Sequence, residues 1–224
     1  MIEKRQGRLL ANKYTHLIWD WNGTLLDDAD WCLSVINSLL AERKLQPIGD
    51  IEAYREIFGF PVVDYYRRAG FDFDKEPFDV PANEFIRLYH SDESRFRLFE
   101  GAKEVLAAIK GMGIRQAILS ASETDNLRSQ TALFGIGRYF DDILGISDIY
   151  AESKLGTGRA YMAKKSICAK KAALIGDTAH DHEVAEALGI DCILISNGHQ
   201  NRRKLLECGA VALLGDIREI LEAI

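Results

Sequence analysis

Four short apolar runs, each closing on a polar or glycine residue, most constrain what this chain can fold into. Thr15-His16-Leu17-Ile18-Trp19 ends at Asp20 and is followed by Asn22-Gly23. Gln116 to Leu119 ends at Ser120, Ala172 to Ile175 at Gly176-Asp177, and Asp191 to Ile195 at Ser196-Asn197-Gly198. Each run predicts a buried strand entering a turn. Helical patterns lie between them, over Ala102–Lys110, Asp125–Phe134, roughly 156–167 and Asp181–Leu188, the last stopped by Gly189. Alternating strand and helix predicts an α/β fold with a doubly wound, mainly parallel sheet, because short helical crossovers return each strand in the same direction. Ligands of such sheets bind beyond the carboxyl ends of the strands, where strand order switches. Asp20, Ser120 and Asp177 are therefore expected to converge.

The alternation breaks between about Asp28 and Phe96. Trp31, Val35 and Leu39 fall four apart, with Ile36 and Leu40 beside them, and Tyr54, Phe58, Tyr65 and Tyr66 follow. The stretch predicts a helical insertion at 28–96 in a core made of 1–27 and 97–224, with Phe71-Asp72-Phe73-Asp74 as a loop. At 224 residues the chain has room for both. The net charge of -6, with scattered Lys and Arg, gives no footprint for nucleic acid. Cysteines 32, 168, 192 and 208 form no CxxC pair, and the first three lie in apolar stretches, which predicts reduced core thiols. Met1 to Lys13 lacks the apolar centre of a signal peptide, and no apolar run reaches about 18 residues, so no membrane partner and a cytoplasmic location are expected. Nothing in the sequence distinguishes a monomer from a homodimer.

Asp20-Trp21-Asn22-Gly23-Thr24-Leu25 resembles the first signature of the haloacid-dehalogenase-like superfamily, an Asp, any residue, usually a second Asp, then Gly-Thr-Leu. Further matches follow in order: Ser120 after Ala117-Ile118-Leu119, Lys154 in Glu152-Ser153-Lys154, and Asp177 with Asp181 in Gly176-Asp177-Thr178-Ala179-His180-Asp181. The resemblance covers nearly the whole chain and is nearest the phosphoglycolate-phosphatase-like branch. It implies a Rossmann-like core, a helical cap in the insertion, and a Mg²⁺-dependent phosphatase acting on a small phosphorylated metabolite.

A phosphate monoester hydrolyses very slowly in water, and its charge repels an attacking anion. A carboxylate nucleophile such as Asp20 would split the reaction through an aspartyl-phosphate that water then opens. Mg²⁺ prefers a few hard oxygen ligands, which suits Asp20 and Asp177. By the resemblance, the main-chain carbonyl of Asn22 is a further ligand and Asp181 braces the site or the metal shell. Lys154 would set a positive charge beside nucleophile and phosphate, and Ser120 would donate to a phosphate oxygen. Backbone N–H groups after Asp20 and at Ala121 are expected to help, with Gly23 permitting close approach and Thr24 supporting the turn. Gly156-Thr157-Gly158 neither follows a strand nor continues as GxxxxGK[ST], which argues against a nucleotide loop.

The departure is Asn22, which occupies the position of the second Asp. An amide can hydrogen-bond to a leaving group but cannot exchange a proton with it, and general acid–base help is worth about 10²–10⁴-fold. Three consequences stay open: the leaving group is acidic enough to need little protonation; another group such as His180 takes over; or the chain binds phosphorylated ligands with low or no turnover. Substrate choice should fall to the insertion, where Arg55, Arg67 and Arg68 are candidates for contacting an anion.

Overall fold

A computed structural model describes residues 13–146 and 154–224. The sequence expectations placed on Met1–Asn12, Glu152 and Ser153 lie outside those residues.

Six parallel strands form one sheet: β1 (His16–Trp19), β2 (Arg115–Glu123), β3 (Asp142–Ile146), β4 (Ala172–Gly176), β5 (Asp191–Ile195) and β6 (Ala212–Leu214), in the order β3-β2-β1-β4-β5-β6. The expected doubly wound parallel sheet is present. Central strands are apolar on both faces because helices cover both. Leu17, Trp19, Ile118 and Ile175 enter one core cluster, and Ile18, Ala117, Leu119 and Leu174 enter the other. This is the period-two alternation of a pleated strand sorted onto two buried layers.

The first layer takes the helix over Ala102–Gly111 through Val105, Leu106 and Ile109, together with Ile217 and Ile220 near the C-terminus. The second takes helices over Lys154–Lys164 and Ala179–Leu188 through Tyr161, Val184 and Ala185. Gly158 sits inside the first of these helices, where a Cβ would come within 3.0 Å of Leu119 and 3.1 Å of Leu188. Gly158 therefore serves helix packing, and Gly156-Thr157-Gly158 lies within a helix, in agreement with the expectation that it is no phosphate loop.

Between β1 and the helix at Ala102–Gly111 lie four further helices: α1 (Ala29–Glu42), α2 (Ile51–Ile57), α3 (Val62–Ala69) and α4 (Asp79–Tyr89). Val35, Ile36, Leu39 and Leu40 are all buried, as their spacing predicts, and Phe71–Asp74 forms no strand. The chain leaves and returns at one place, since Leu26 and Leu98 form an antiparallel bridge and the Asp27 N–H donates to the Arg97 carbonyl at 2.8 Å. The interior of this segment is aromatic. Tyr54 packs edge-on to Tyr65 at 5.8 Å, Tyr65 on Tyr66 at 5.5 Å, and Phe85 stacks on Tyr89 at 6.0 Å between ring centroids.

Three local expectations are corrected. The strands β3 and β6 were not anticipated: they form the two edges of the sheet, every residue in them is only half-buried, Gly145 interrupts the apolar residues of β3, and β6 is only three residues long. The helix expected from Asp181 starts at Ala179, where a capping box joins Thr178 and Asp181. Cys168 is exposed rather than in the core, although all four cysteines are free.

The Tyr65 hydroxyl is buried with no hydrogen-bond partner among the described residues. Because an unsatisfied buried donor costs about 1–3 kcal/mol, Tyr65→Phe is expected to leave the fold as stable or to stabilise it by about 1 kcal/mol. Urea denaturation checks this, and a clear loss of stability would contradict it.

Candidate active site

The order of the sheet reverses around β1 and β4, and both strands end on carboxylates. Asp20 follows β1, with its N–H donating to the Ile175 carbonyl at 2.8 Å, and Asp177 follows β4. Ser120 lies in β2 where the register against β3 shifts, and Lys154 opens the helix over Lys154–Lys164. All four are buried. Residues separated by as much as 157 positions thus share one crevice at the carboxyl end of the sheet.

The Lys154 ammonium donates to Asp20 Oδ1 at 2.6 Å and to Asp181 Oδ1 at 2.5 Å. Asp181 Oδ2 accepts from the Thr178 hydroxyl at 2.7 Å and from the N–H groups of Thr178 at 3.0 Å and Asp177 at 3.2 Å. One side chain therefore caps the following helix and anchors the lysine. Asp177 is held by the Thr24 hydroxyl at 3.1 Å and the His199 N–H at 2.7 Å. Gly23, at φ +72°, and Gly198 lie against this carboxylate: a Cβ on either would come within 2.3 or 2.2 Å of Asp177 Oδ2. The Ser120 Oγ accepts from the Ser122 N–H at 3.0 Å, which leaves its own proton to donate elsewhere.

Carboxylate oxygens of Asp20, Asp177 and Asp181 lie within 4.8 Å of one another. Burial pushes Asp20 up to about 6 against the pull of Lys154, and burial together with the charges of Asp181 and Asp20 pushes Asp177 up to about 7 against the pull of His199. Burial would also raise Asp181, but Lys154 and the Thr178 donors hold it below its ordinary value. Three carboxylates against one lysine leave negative charge in excess, and the donors are hard oxygens. The main-chain carbonyl of Asn22 accepts no backbone hydrogen bond among the described residues. This donor set fits Mg²⁺.

Asn22 is locked on both ends of its amide. Its Nδ2 donates to Asp28 Oδ2 at 2.7 Å and to the Tyr89 hydroxyl oxygen at 2.9 Å, and its Oδ1 accepts from the Ser122 hydroxyl at 2.8 Å. Asp28 also accepts from the Tyr89 hydroxyl at 2.6 Å and the Gly23 N–H at 3.0 Å, and its Oδ1 faces His199 Nε2 at 3.2 Å. Burial would lower His199, but Asp28 raises it to about 9, and burial would raise Asp28, but His199, Tyr89 and Asn22 hold it low. The other imidazole nitrogen lies 2.8 Å from the Tyr54 hydroxyl. Tyr89 and His199 were not singled out from sequence, Tyr54 was read there only as an aromatic of the insertion, and Asp28 only marked its start. Only tertiary contact joins Asp28 and His199, which lie 171 positions apart.

A cavity of about 320 Å³ takes Asp20, Asn22, Ser120, Ala121, Lys154, Asp177 and Asp181 into its lining, together with aromatic side chains of α2 to α4. Gly23 and Thr24 do not line it and act behind Asp177. The arginines named as candidates for contacting an anion are engaged elsewhere: Arg55 donates to the carbonyls of Asn197 and Gly198, Arg67 pairs with Asp64, and Arg68 donates to the Ile57 carbonyl. None lines the cavity. Their helix positions predicted exposure, and local acceptors captured them. His180 lines the mouth, stacked on Phe60 at 4.6 Å, with its Nδ1 3.2 Å from Glu183.

A family model described as haloacid dehalogenase-like hydrolase matches residues 17–195. A phosphoglycolate phosphatase of Pseudomonas savastanoi pv. phaseolicola is 24% identical over 223 residues, covering 96% of this chain and 81% of that protein. Tyrosine-protein kinase PtkA of Mycobacterium tuberculosis is 28% identical over 190 residues, covering 82% of this chain and 62% of its own length. Its solved structure superimposes with a TM-score of 0.80 at 24% identity, over 95% of this chain and 99% of that one. A haloacid dehalogenase-like family hydrolase from Streptococcus pneumoniae gives 0.81 at 19% identity, over 93% and 97%. Among the described residues no helix is long and apolar enough to cross a membrane.

The raised carboxyls give a pH signature. Groups at about 6 and about 7 retain protons in the folded chain that an unfolded chain releases near pH 4, so they stabilise the metal-free fold at low pH and lose that contribution as pH rises through 7. A divalent cation binds the ionised carboxylates. Mg²⁺ is therefore expected to raise the melting temperature more at pH 8 than at pH 5, as read by differential scanning fluorimetry. An equal shift at both values, or none, would overturn the assignment of Asp20 and Asp177 to one cation.

Proposed function

This chain belongs to the haloacid dehalogenase-like hydrolase family, and from that premise we propose that it is a Mg²⁺-dependent phosphatase that hydrolyses a small phosphorylated metabolite of the cytoplasm through an aspartyl-phosphate on Asp20. The observation that carries this reading is the Lys154 bridge between Asp20 and Asp181, beside Asp177 and Ser120, in one buried crevice. Two of the relatives are named for phosphoryl chemistry, a phosphoglycolate phosphatase and a tyrosine-protein kinase.

In this mechanism Asp20 is both nucleophile and metal ligand. Lys154 holds one of its oxygens and keeps the carboxylate oriented and ionised. Asp20, Asp177 and the Asn22 carbonyl would hold Mg²⁺, with Asp181 bracing them; when bound, the ion supplies positive charge to phosphate oxygens that would otherwise repel the nucleophile. The Ser120 hydroxyl and the Ala121 N–H donate to the transferring phosphoryl group. Residues 28–96 act as a cap whose aromatic side chains close the cavity and exclude water.

Turnover is favoured over ligand binding alone because nucleophile, lysine, serine and second carboxylate all converge, and Asn22 is the single departure. Asp20→Asn is expected to reduce hydrolysis of phenyl phosphate by about 10³-fold or more, and removal of Mg²⁺ with EDTA to do the same reversibly. Phosphate release assays check both. Activity that survives in the Asp20→Asn protein would remove Asp20 from the nucleophile role.

A further inference from the structure

Three features of the cavity bear on which ester it takes, given the phosphatase reading on which this inference rests. The first is its wall. Tyr54, Phe58, Tyr65, Tyr66, Phe85 and Tyr89 line one side of a space of about 320 Å³. They form a connected aromatic surface, with centroid separations of 5.4 Å for Tyr54–Phe58 and 5.1 Å for Phe58–Tyr65. Rings offer a new aromatic group edge or face contacts worth about 0.5–1.5 kcal/mol each beyond area burial. The volume is at the lower end of the usual range for small-ligand sites, about 300–1,000 Å³. It has room for one ring and a phosphate, and none for folded polypeptide.

The second feature is charge. Lys154 is the one lysine or arginine in the described lining, and Asp20 and Asp181 already share it. Both nitrogens of His199 are engaged, by Asp28 and Tyr54, and burial keeps His90 below its usual range. Asp28 and Glu123 also line the space. Lys154 and His199 are both already paired, so a carboxylate on the leaving group would lose its hydration among these acids with no unengaged cation from either to meet it, which is strongly unfavourable.

The third feature is Asn22. With both amide ends hydrogen-bonded and no proton acidic enough to give up near neutral pH, it cannot protonate a departing oxygen. A phenol ionises near pH 10, whereas water, as a guide to alkyl alcohols, does so near 15.7. An aryl oxide therefore leaves without an acid where an alkoxide does not.

We infer that the site takes small aryl phosphate monoesters, rather than short carboxylated alkyl phosphates. An oxygen of Asp20 forms a bond to phosphorus as the phosphorus–aryl oxygen bond breaks; the electron pair leaves on the aryl oxide, which takes its proton from water. A second water then attacks phosphorus, the bond to Asp20 breaks, and phosphate departs with the carboxylate restored and one proton released to solvent. The aromatic wall of the helical segment holds the leaving group's ring.

The test is steady-state kinetics of the full chain with Mg²⁺ on phenyl phosphate, a phosphotyrosyl peptide, 2-phosphoglycolate, glycerol 3-phosphate and acetyl phosphate, with Asp20→Asn as control. The expected kcat/KM for phenyl phosphate exceeds that for both alkyl phosphates by about 100-fold or more, the scale of missing acid–base help. Acetyl phosphate separates leaving-group acidity from ring recognition, and its KM is expected well above that of phenyl phosphate. Phe85→Ala, on the half-buried edge of the wall, should raise KM for phenyl phosphate several-fold and leave that for acetyl phosphate little changed. Asn22→Asp should raise kcat on glycerol 3-phosphate about tenfold or more and on phenyl phosphate much less. Asp20-dependent hydrolysis that prefers 2-phosphoglycolate overturns this inference and leaves the phosphatase reading standing. A phosphotyrosyl peptide turned over faster than phenyl phosphate overturns the assignment to a small ester, and hydrolysis of none of these compounds overturns both readings.

Discussion

A single ammonium group, Lys154 Nζ, makes the crevice at the carboxyl end of the sheet possible. It is buried between Asp20 and Asp181, with Asp177 in the same carboxylate cluster, where an unpaired charge would cost several kcal/mol. Asp181 is the fixed end of that arrangement, because its other oxygen closes the capping box of the helix over Ala179–Leu188 and accepts three donors. Removal of Lys154 would take from Asp20 and Asp181 the one cation they share. Negative charge still exceeds positive, and burial, aided by the neighbouring carboxylates, raises Asp20 and Asp177. The geometry thus keeps an affinity for cations in reserve at the place where a phosphate would arrive.

A second buried network lies one layer outward and ties the helical segment to the core. Asp28 precedes α1, His199 follows β5, Tyr54 and Tyr89 come from α2 and α4, and Asn22 from the turn after β1. Each polar tip is satisfied by another, which is the condition under which a buried network rigidifies its surroundings instead of destabilising them. His199 also reaches the first network through its N–H to Asp177. The aromatic wall is therefore registered against the carboxylates by directional bonds, and apolar packing alone would not supply that precision.

What was legible in the sequence followed from burial and periodicity. Leu17-Ile18-Trp19 and Ala173-Leu174-Ile175 belong to central strands covered on both faces, so their composition announces them and places Asp20 and Asp177 at the strand ends. The edge strands over Asp142–Ile146 and Ala212–Leu214 lack that cover and their pattern is lost among half-buried residues. The same contrast holds at the site. Asp20, Ser120, Lys154, Asp177 and Asp181 were found because they stand in short local signatures, whereas Asp28 and His199 are brought together across 171 positions by the fold alone. Arg55, Arg67 and Arg68 failed as substrate contacts for a related reason: helical spacing predicts a face and cannot predict that nearby carbonyls and Asp64 will capture each guanidinium.

The amide at position 22 and the carboxylate at position 28 are best understood as one choice. Asn22 Nδ2 is 2.7 Å from Asp28 Oδ2, a donor facing an acceptor. A carboxylate at position 22 would set two acceptors at that distance in a buried place, and like charges so close cannot both ionise without a large rise in one pKa. With Asn22, Asp28 stays ionised and pairs with His199, the amide carbonyl accepts from Ser122, and every group is satisfied at neutral pH. The chain therefore exchanges a proton carrier for a rigid polar joint between core and helical segment. That exchange is tolerable only where the leaving oxygen is stable as an anion, which links the chemistry of one amide to the aromatic wall it touches through Tyr89.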